Sequence, residues 1–301
     1  MKRDSLIGHS ACTISSIFFG LNIVFCKDIA NGAVISPSAL FALRACGAMV
    51  LFWLVSLFCP RERMSHRDLL LTALASFLGL FVPQMTFLAA ITVTSSIDTS
   101  LLGTLSPIFT MYVAAVVLHE PITFKKVGGV LTSCGGVLLL ILSSAVATTS
   151  THVTRPLGVC LMLLNCLSFA IYLGAFRPLI SRYRVVTFMK WMFLFAFIYA
   201  IPFSARDLTQ TAFATMPTRV LLEIGYVILF STFLSYFLIP LGQKKLRPTM
   251  VSMYNYLQPI ITALFSILLG IDVVTWQKCL AALLVFTGVI IVSKSKKAPE
   301  K

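Results

Sequence analysis

Ten apolar stretches of spanning or near-spanning length follow one another along the chain: Leu6–Cys26, Ala39–Phe58, Leu69–Ile91, Ile97–Leu118, Val127–Leu142, Leu157–Phe176, Thr187–Phe203, Val220–Leu238, Met250–Leu269 and Cys279–Ser293. Turn-forming pairs lie between them, among them Ser36-Pro37, Cys59-Pro60, Glu120-Pro121, Arg155-Pro156, Met216-Pro217 and Arg247-Pro248. A helix needs about 20 apolar residues to cross a hydrocarbon core of roughly 30 Å, so the pattern predicts ten transmembrane helices joined by short loops. Only Thr92, Thr94, Ser95 and Ser96 interrupt the third and fourth stretches, which predicts a tight hairpin there.

The pattern repeats. A gap-free shift of 152 positions lays residues 100–137 on 252–289 with ten identities: Ser100 on Ser252, Leu105 on Leu257, Pro107 on Pro259, Ile108 on Ile260, Thr110 on Thr262, Thr123 on Thr275, Lys126 on Lys278, Leu131 on Leu283, Gly136 on Gly288 and Val137 on Val289. With a shift of 150, Ser15, Phe18 and Asn22 fall on Asn165, Ser168 and Tyr172. Five helices per copy is an odd number, so the second copy enters the membrane in the opposite sense. The predicted fold is therefore all-α and integral to the membrane, ten transmembrane helices as two inverted five-helix repeats. Residues 1–145 form the first repeat, 156–295 the second, and 296–301 a basic tail. Inverted repeats of this kind place a binding site near the midplane between the copies, which is the plan of secondary transporters.

Composition agrees, since 58% of the 301 residues are hydrophobic and 11% charged, too little polar surface for a large soluble domain. A net charge of +14 would suit a nucleic-acid partner, but the positions of the 24 Lys and Arg say otherwise. With the N-terminus inside, seventeen fall in inner segments and five outside (Lys27, Arg155, Arg206, Arg219 and Lys278), while Arg44 and Lys190 lie within spans. That bias places both termini in the cytoplasm and makes anionic lipid headgroups, not nucleic acid, the partner of the basic loops. Preceded by Lys2 and Arg3, the first stretch is too long for a signal peptide and lacks a small-x-small cleavage site, so it is expected to remain. Most of the eight cysteines lie inside spans, and no CxxC or Cys/His spacing indicates a metal, a disulfide framework or a cofactor. Monomer and homodimer both fit the pattern.

Polar side chains inside a span are costly in lipid and are expected to face the bundle interior. The substrate-binding candidates are accordingly Asn22, Gln84, Thr104, Pro107, Asn165, Ser168, Tyr172, Tyr226, Asn255, Tyr256 and Pro259. Pro107 and Pro259 each free a carbonyl one turn earlier, which suits a broken helix beside a cavity. Tyr226, Phe230, Phe233 and Phe237 form an aromatic stripe expected to face Phe77, Phe81 and Gln84 across a lined cavity. Ionisable candidates for coupling are Arg44, Asp98, Lys190 and Glu223; Arg44 is expected to find a carboxylate or carbonyl, and Asp98 or Glu223 to carry protons or hold a substrate amine.

The stretches Leu105-Ser106-Pro107 through Leu118-His119-Glu120-Pro121-Ile122-Thr123 to Gly128 and Gly135-Gly136-Val137, and Tyr256-Leu257-Gln258-Pro259 through Gly270-Ile271-Asp272 to Thr275 and Gly288-Val289, resemble the paired repeats of the drug/metabolite transporter superfamily, EamA type. Gly20, Asn22 and Arg44 are similar to residues common there. Four positions depart from the pattern: His119 stands where a Gly is usual, Asp272 where a Glu is, and Ser106 and Gln258 where relatives are often acidic. The resemblance implies that helices one to four and six to nine surround a central cavity, with five and ten peripheral. It also implies efflux or exchange of small metabolites (amino acids, nucleosides and related compounds) or drugs across the cell membrane by alternating access. The alternative is an integral membrane enzyme acting on a lipid-type substrate. It would need converging acid, base or nucleophile groups, whereas His9, His66, His119 and His152 lie near span ends or in loops.

Overall fold

The computed structural model describes residues 2–106, 108–110, 112–113, 124–146, 154–211, 213, 216–246, 251 and 254–293. Pro107, the turn 119–123 and the tail 296–301 lie outside them. Every regular element among the described residues is helical: α1 Lys2–Gly32, α2 Pro37–Leu57, α3 His66–Thr92, α4 Ser96–Gly103, α5 Phe124–Val146, α6 Pro156–Ala175, a short α7 Arg177–Arg182, α8 Val185–Gln210, α9 Thr218–Lys245, α10 Leu257–Leu268 and α11 Trp276–Ser293.

The helix starts follow from local chemistry. Ser36, Ser65 and Ser95 each sit in extended backbone and accept from the amide three residues on, of Ala39, Asp68 and Asp98, capping α2, α3 and α4. Pro37 and Pro156 occupy first-turn positions, where a missing N–H costs nothing. At the far end of α10, Gly270 adopts φ +65°, open to glycine without a Cβ clash, and the Ile271 amide returns to the Ser266 carbonyl at 2.9 Å.

Among the described residues, six helices are long and apolar enough to cross a membrane: Leu6–Gly32, Pro37–Leu57, His66–Thr92, Pro156–Ala175, Val185–Gln210 and Thr218–Lys245. The fourth and ninth expected spans are in pieces among the described residues. One is α4, with further helical residues at 108–110, and the other a 3-10 turn, Tyr254–Tyr256, leading into α10. Leu54, Leu57, Phe58, Leu70, Leu222 and Leu268 are exposed, as a lipid-facing surface requires.

Two helices depart from regular α geometry at related places. Phe77–Phe81 in α3 and Val227–Leu234 in α9 are π-helical, and the second begins 150 residues after the first. In α3 the Val82 amide reaches back to the Phe77 carbonyl. The next bond in that register would come from Pro83, which has no N–H, and would end on Leu78. Ser168 of α6 supplies the missing donor, its hydroxyl 2.7 Å from the Leu78 carbonyl. In α9 the hydroxyls of Thr232 and Ser235 donate to carbonyls five residues back, Val227 at 2.7 Å and Phe230 at 3.0 Å.

The main core joins α1, α2, α3, α6, α8 and α9; Phe52 of α2 stacks on Phe193 of α8 with ring centroids 5.5 Å apart. Helices α5 and α11 pack on each other, and a smaller cluster of Ile97, Leu101 and Ala281 attaches them to the rest.

Candidate functional site

A cavity of about 120 Å³ lies inside the bundle. Its walls are Phe19, Asn22 and Ile23 of α1; Pro83, Gln84 and Phe87 of α3; Thr99 and Gly103 of α4, with Ser106; Met162, Asn165 and Phe169 of α6; Tyr236 and Ile239 of α9; and Asn255 and Gln258 at the head of α10. Helices from both halves of the sequence therefore contribute. Gln84 Nε2 donates to the Tyr236 hydroxyl at 2.5 Å, and the two residues stand 152 positions apart, the repeat shift itself. Ser133 Oγ likewise donates to the Val285 carbonyl, again 152 positions away, at 3.3 Å. The cavity wall and the α5/α11 contact thus each join positions one repeat shift apart.

The lining amides are partly committed. Asn165 Nδ2 donates to the Pro83 carbonyl at 2.6 Å, Gln258 Nε2 to Asn255 Oδ1 at 3.1 Å, and Asn22 Oδ1 accepts from the Cys26 thiol at 3.5 Å. Gln84 Oε1 is buried with no partner among the described residues.

At the end of α1 that carries Lys27, a buried polar network joins the two halves. Asp272 accepts at one oxygen from the Ile97 amide (3.0 Å) and the Ser96 hydroxyl (3.2 Å), and at the other from the Val273 amide and Lys278 Nζ, each at 2.8 Å. Lys278 also donates to Ser95 Oγ at 3.1 Å and lies 3.9 Å from Asp98. Thr154 donates to Asp98 at 2.5 Å, and the Ser96 and Ser266 hydroxyls meet at 2.8 Å. Lys27 Nζ donates to the Ile91 and Thr94 carbonyls at 3.0 and 2.6 Å, closing off the end of α3. Burial alone would push the Asp272 carboxyl up, but the Lys278 ammonium and the backbone amides outweigh it and hold the group below the usual aspartate range.

A second void, of about 20 Å³, lies toward the opposite end. It shares Phe19, Phe169, Ile239 and Asn255 with the central cavity and continues past Cys12, Ser15 and Ser16 to Tyr254. There His9 Nδ1 and the Tyr254 hydroxyl meet at 2.5 Å.

Four of the residues singled out by sequence line the cavity together: Asn22, Gln84, Asn165 and Asn255. The other described candidates stand elsewhere. The Thr104 hydroxyl is buried and donates to the Leu101 carbonyl at 2.6 Å. Ser168 repairs the α3 backbone, and Tyr172 is buried beside Phe169 and Phe176. Tyr226 stacks on Phe230 and edges Phe18 and Phe25, so these two rings pack on α1 and Phe233 packs on Phe52 of α2, while Phe77 and Phe81 meet Tyr199 instead. Tyr256 edges Phe286, and Pro259 is buried in α10.

Arg44 is fully buried and meets not the expected carboxylate or carbonyl but the Thr232 hydroxyl at 3.0 Å and the Cys26 sulfur at 3.9 Å. The π-helical register of α9 is what carries Thr232 to that place. Glu223 is bound by Arg219 at 3.0 Å, and the same guanidinium holds Asp28 at 2.5 Å. Lys190 Nζ sits 4.9 Å over the Trp53 ring. Tyr236, Lys27, Asp272 and Lys278 were not among the sequence candidates. The repeat shift could have found Tyr236, as the partner of Gln84.

The family model described as the EamA-like transporter family matches residues 6–142 and again residues 156–294. Among curated relatives, the uncharacterized transporter YyaM of Bacillus subtilis (strain 168) is 21% identical over 285 residues, covering 95% of this chain and 93% of that protein. The uncharacterized transporter YcxC of the same organism is 24% identical over 303 residues, covering 96% and 94%. One solved crystal structure, 15% identical, superposes with a TM-score of 0.65 over 97% of both chains, a likeness of fold.

Proposed function

Because the chain belongs to the EamA-like transporter family, a family of multi-pass membrane proteins, we propose that it is a secondary transporter moving small metabolites across the cell membrane by alternating access, as an exporter or exchanger. What carries the reading is the cavity lined from both halves, on whose wall Gln84 and Tyr236 meet one repeat shift apart. Ten spans in two inverted repeats, 1–145 and 156–295, with both termini cytoplasmic, give each half an equivalent way to open. In that topology Lys27, Asp98, Asp272 and Lys278 lie at the outer end. Their network is the outer gate in its closed state, and the void toward His9 and Tyr254 is the start of the inner path.

Of the candidate coupling residues, neither Asp98 nor Glu223 lines the cavity. Their proposed role is therefore in the gate and its neighbourhood, where a proton or an ion changes the balance of charges, and not in holding a substrate amine. Substrate contact falls to Asn22, Gln84, Asn165, Asn255, Gln258 and Tyr236. Counterflow of labelled metabolites into liposomes carrying the purified chain tests the reading. Exchange of at least one solute, absent from protein-free liposomes, is expected, and exchange that needs no proton gradient and survives the double amide variant Asp98→Asn with Glu223→Gln would remove the coupling role.

A further inference from the structure

We infer that the central cavity selects solutes without formal charge, and that its ligand is a small planar amide or lactam of the size of a nucleobase or nicotinamide. This rests on the transport reading and adds the chemistry of the ligand to it. Among the described residues, no Asp, Glu, Lys, Arg or His lines the cavity. A charged solute would leave its hydration shell for a site without a counter-charge, the costly case for any buried ion.

The charged side chains nearby have partners outside the cavity. Lys278 stands between Asp98 and Asp272, and Lys27 on the Ile91 and Thr94 carbonyls. Arg219 holds Asp28 and Glu223, and Arg44 is bound to Thr232 and Cys26.

The cavity does offer mixed hydrogen-bonding edges. With one end of each amide committed, acceptors remain on Gln84, Asn165 and Gln258 and donors on Asn22 and Asn255. A lactam presents N–H beside C=O and can meet such a set. A hydrocarbon would leave these groups unpaired, and a site built to hydrogen-bond rejects ligands that cannot. Phe19, Phe87 and Phe169 add flat apolar walls for a ring. At about 120 Å³ the space lies below the roughly 300–1,000 Å³ of drug-sized sites and takes one ring with its substituents.

The test uses the full chain in liposomes. Counterflow of labelled uracil and nicotinamide is compared with that of leucine, glutamate, lysine and tetraphenylphosphonium. Uracil or nicotinamide should exchange, a hundredfold excess of the charged solutes should not compete, and Gln84→Leu or Gln258→Leu should each reduce exchange about tenfold, the worth of one hydrogen bond to a ligand. On the unmodified protein, nicotinamide or uracil should raise the unfolding temperature while glutamate and lysine leave it unchanged. Exchange of an anion, cation or zwitterion without exchange of the neutral pair overturns the inference and leaves transport standing. Failure of every solute in the panel to exchange removes both.

Discussion

Tyr236 and Gln84 meet at 2.5 Å on the wall of the cavity, and the bond fixes one end of an amide whose other end is buried without a partner. Replacing Tyr236 by Phe leaves the amide nitrogen without its acceptor inside the bundle. An orphaned buried group costs about 1–3 kcal/mol, which a denaturant titration in detergent should resolve. Asp272 is a stronger case, because its pair with Lys278 at 2.8 Å has side-chain exposures of only 1% and 10%. Asp272→Asn strands the ammonium and weakens the caps on Ser96 and Ile97; loss of one partner of a buried pair costs about 3–5 kcal/mol. The carboxyl is held below its ordinary value of about 3.9, so its contribution is complete above roughly pH 4 and is lost only as the pH falls through the lowered value. Stability measured from neutrality down to pH 5 should therefore show no loss traceable to this residue, and the gap between wild type and D272N should stay constant over that range.

At the scale of elements, the apolar periodicity was legible and its interruptions were not. Amides inside apolar runs must find polar company, which is why Asn22, Gln84, Asn165 and Asn255 could be picked out and do share one cavity. Thr104 and Ser168 obey the same rule differently, satisfied by backbone carbonyls that a sequence does not display as free. The π-helical segments leave no trace in an all-apolar pattern, yet one delivers Thr232 to Arg44 and the other creates the vacancy that Ser168 fills. Lys27, Asp272 and Lys278 read as loop charges because their burial comes from tertiary packing: Asp272 and Lys278 are held by Ser95, Ser96 and Ile97 of the other half, and Lys27 by the carbonyls of Ile91 and Thr94. The α5/α11 pair was better marked by its glycines. A Cβ on Gly288 would collide with the Gly129 backbone and the Ser133 hydroxyl, so small residues set the helix separation. Gly288→Val should push α11 away from α5 and break the Ser133 bond to Val285, lowering the thermal midpoint in detergent. A midpoint equal to wild type would mean that this contact contributes little.

For the whole molecule, the proposed alternating access requires the end that carries Asp272 to come apart once in each cycle. In the present conformation Ser96 and Ser266, one from each half, hold their hydroxyl oxygens 2.8 Å apart inside that network. Cysteines at both positions, in a background with the eight native cysteines replaced, place two sulfurs within bonding reach across the interface between the halves. Oxidation should then lock the halves together, bringing counterflow in liposomes down to the protein-free level, and dithiothreitol should restore it. The single cysteine variants, oxidised in the same way, should retain their exchange, which separates locking from damage to the protein. Ligand binding followed by thermal shift should persist in the locked form, since the cavity lies away from the cross-link and its inner path stays available. Full-rate exchange by the cross-linked protein would mean that this end never opens, and the ion network would then be a structural tie between repeats instead of a gate.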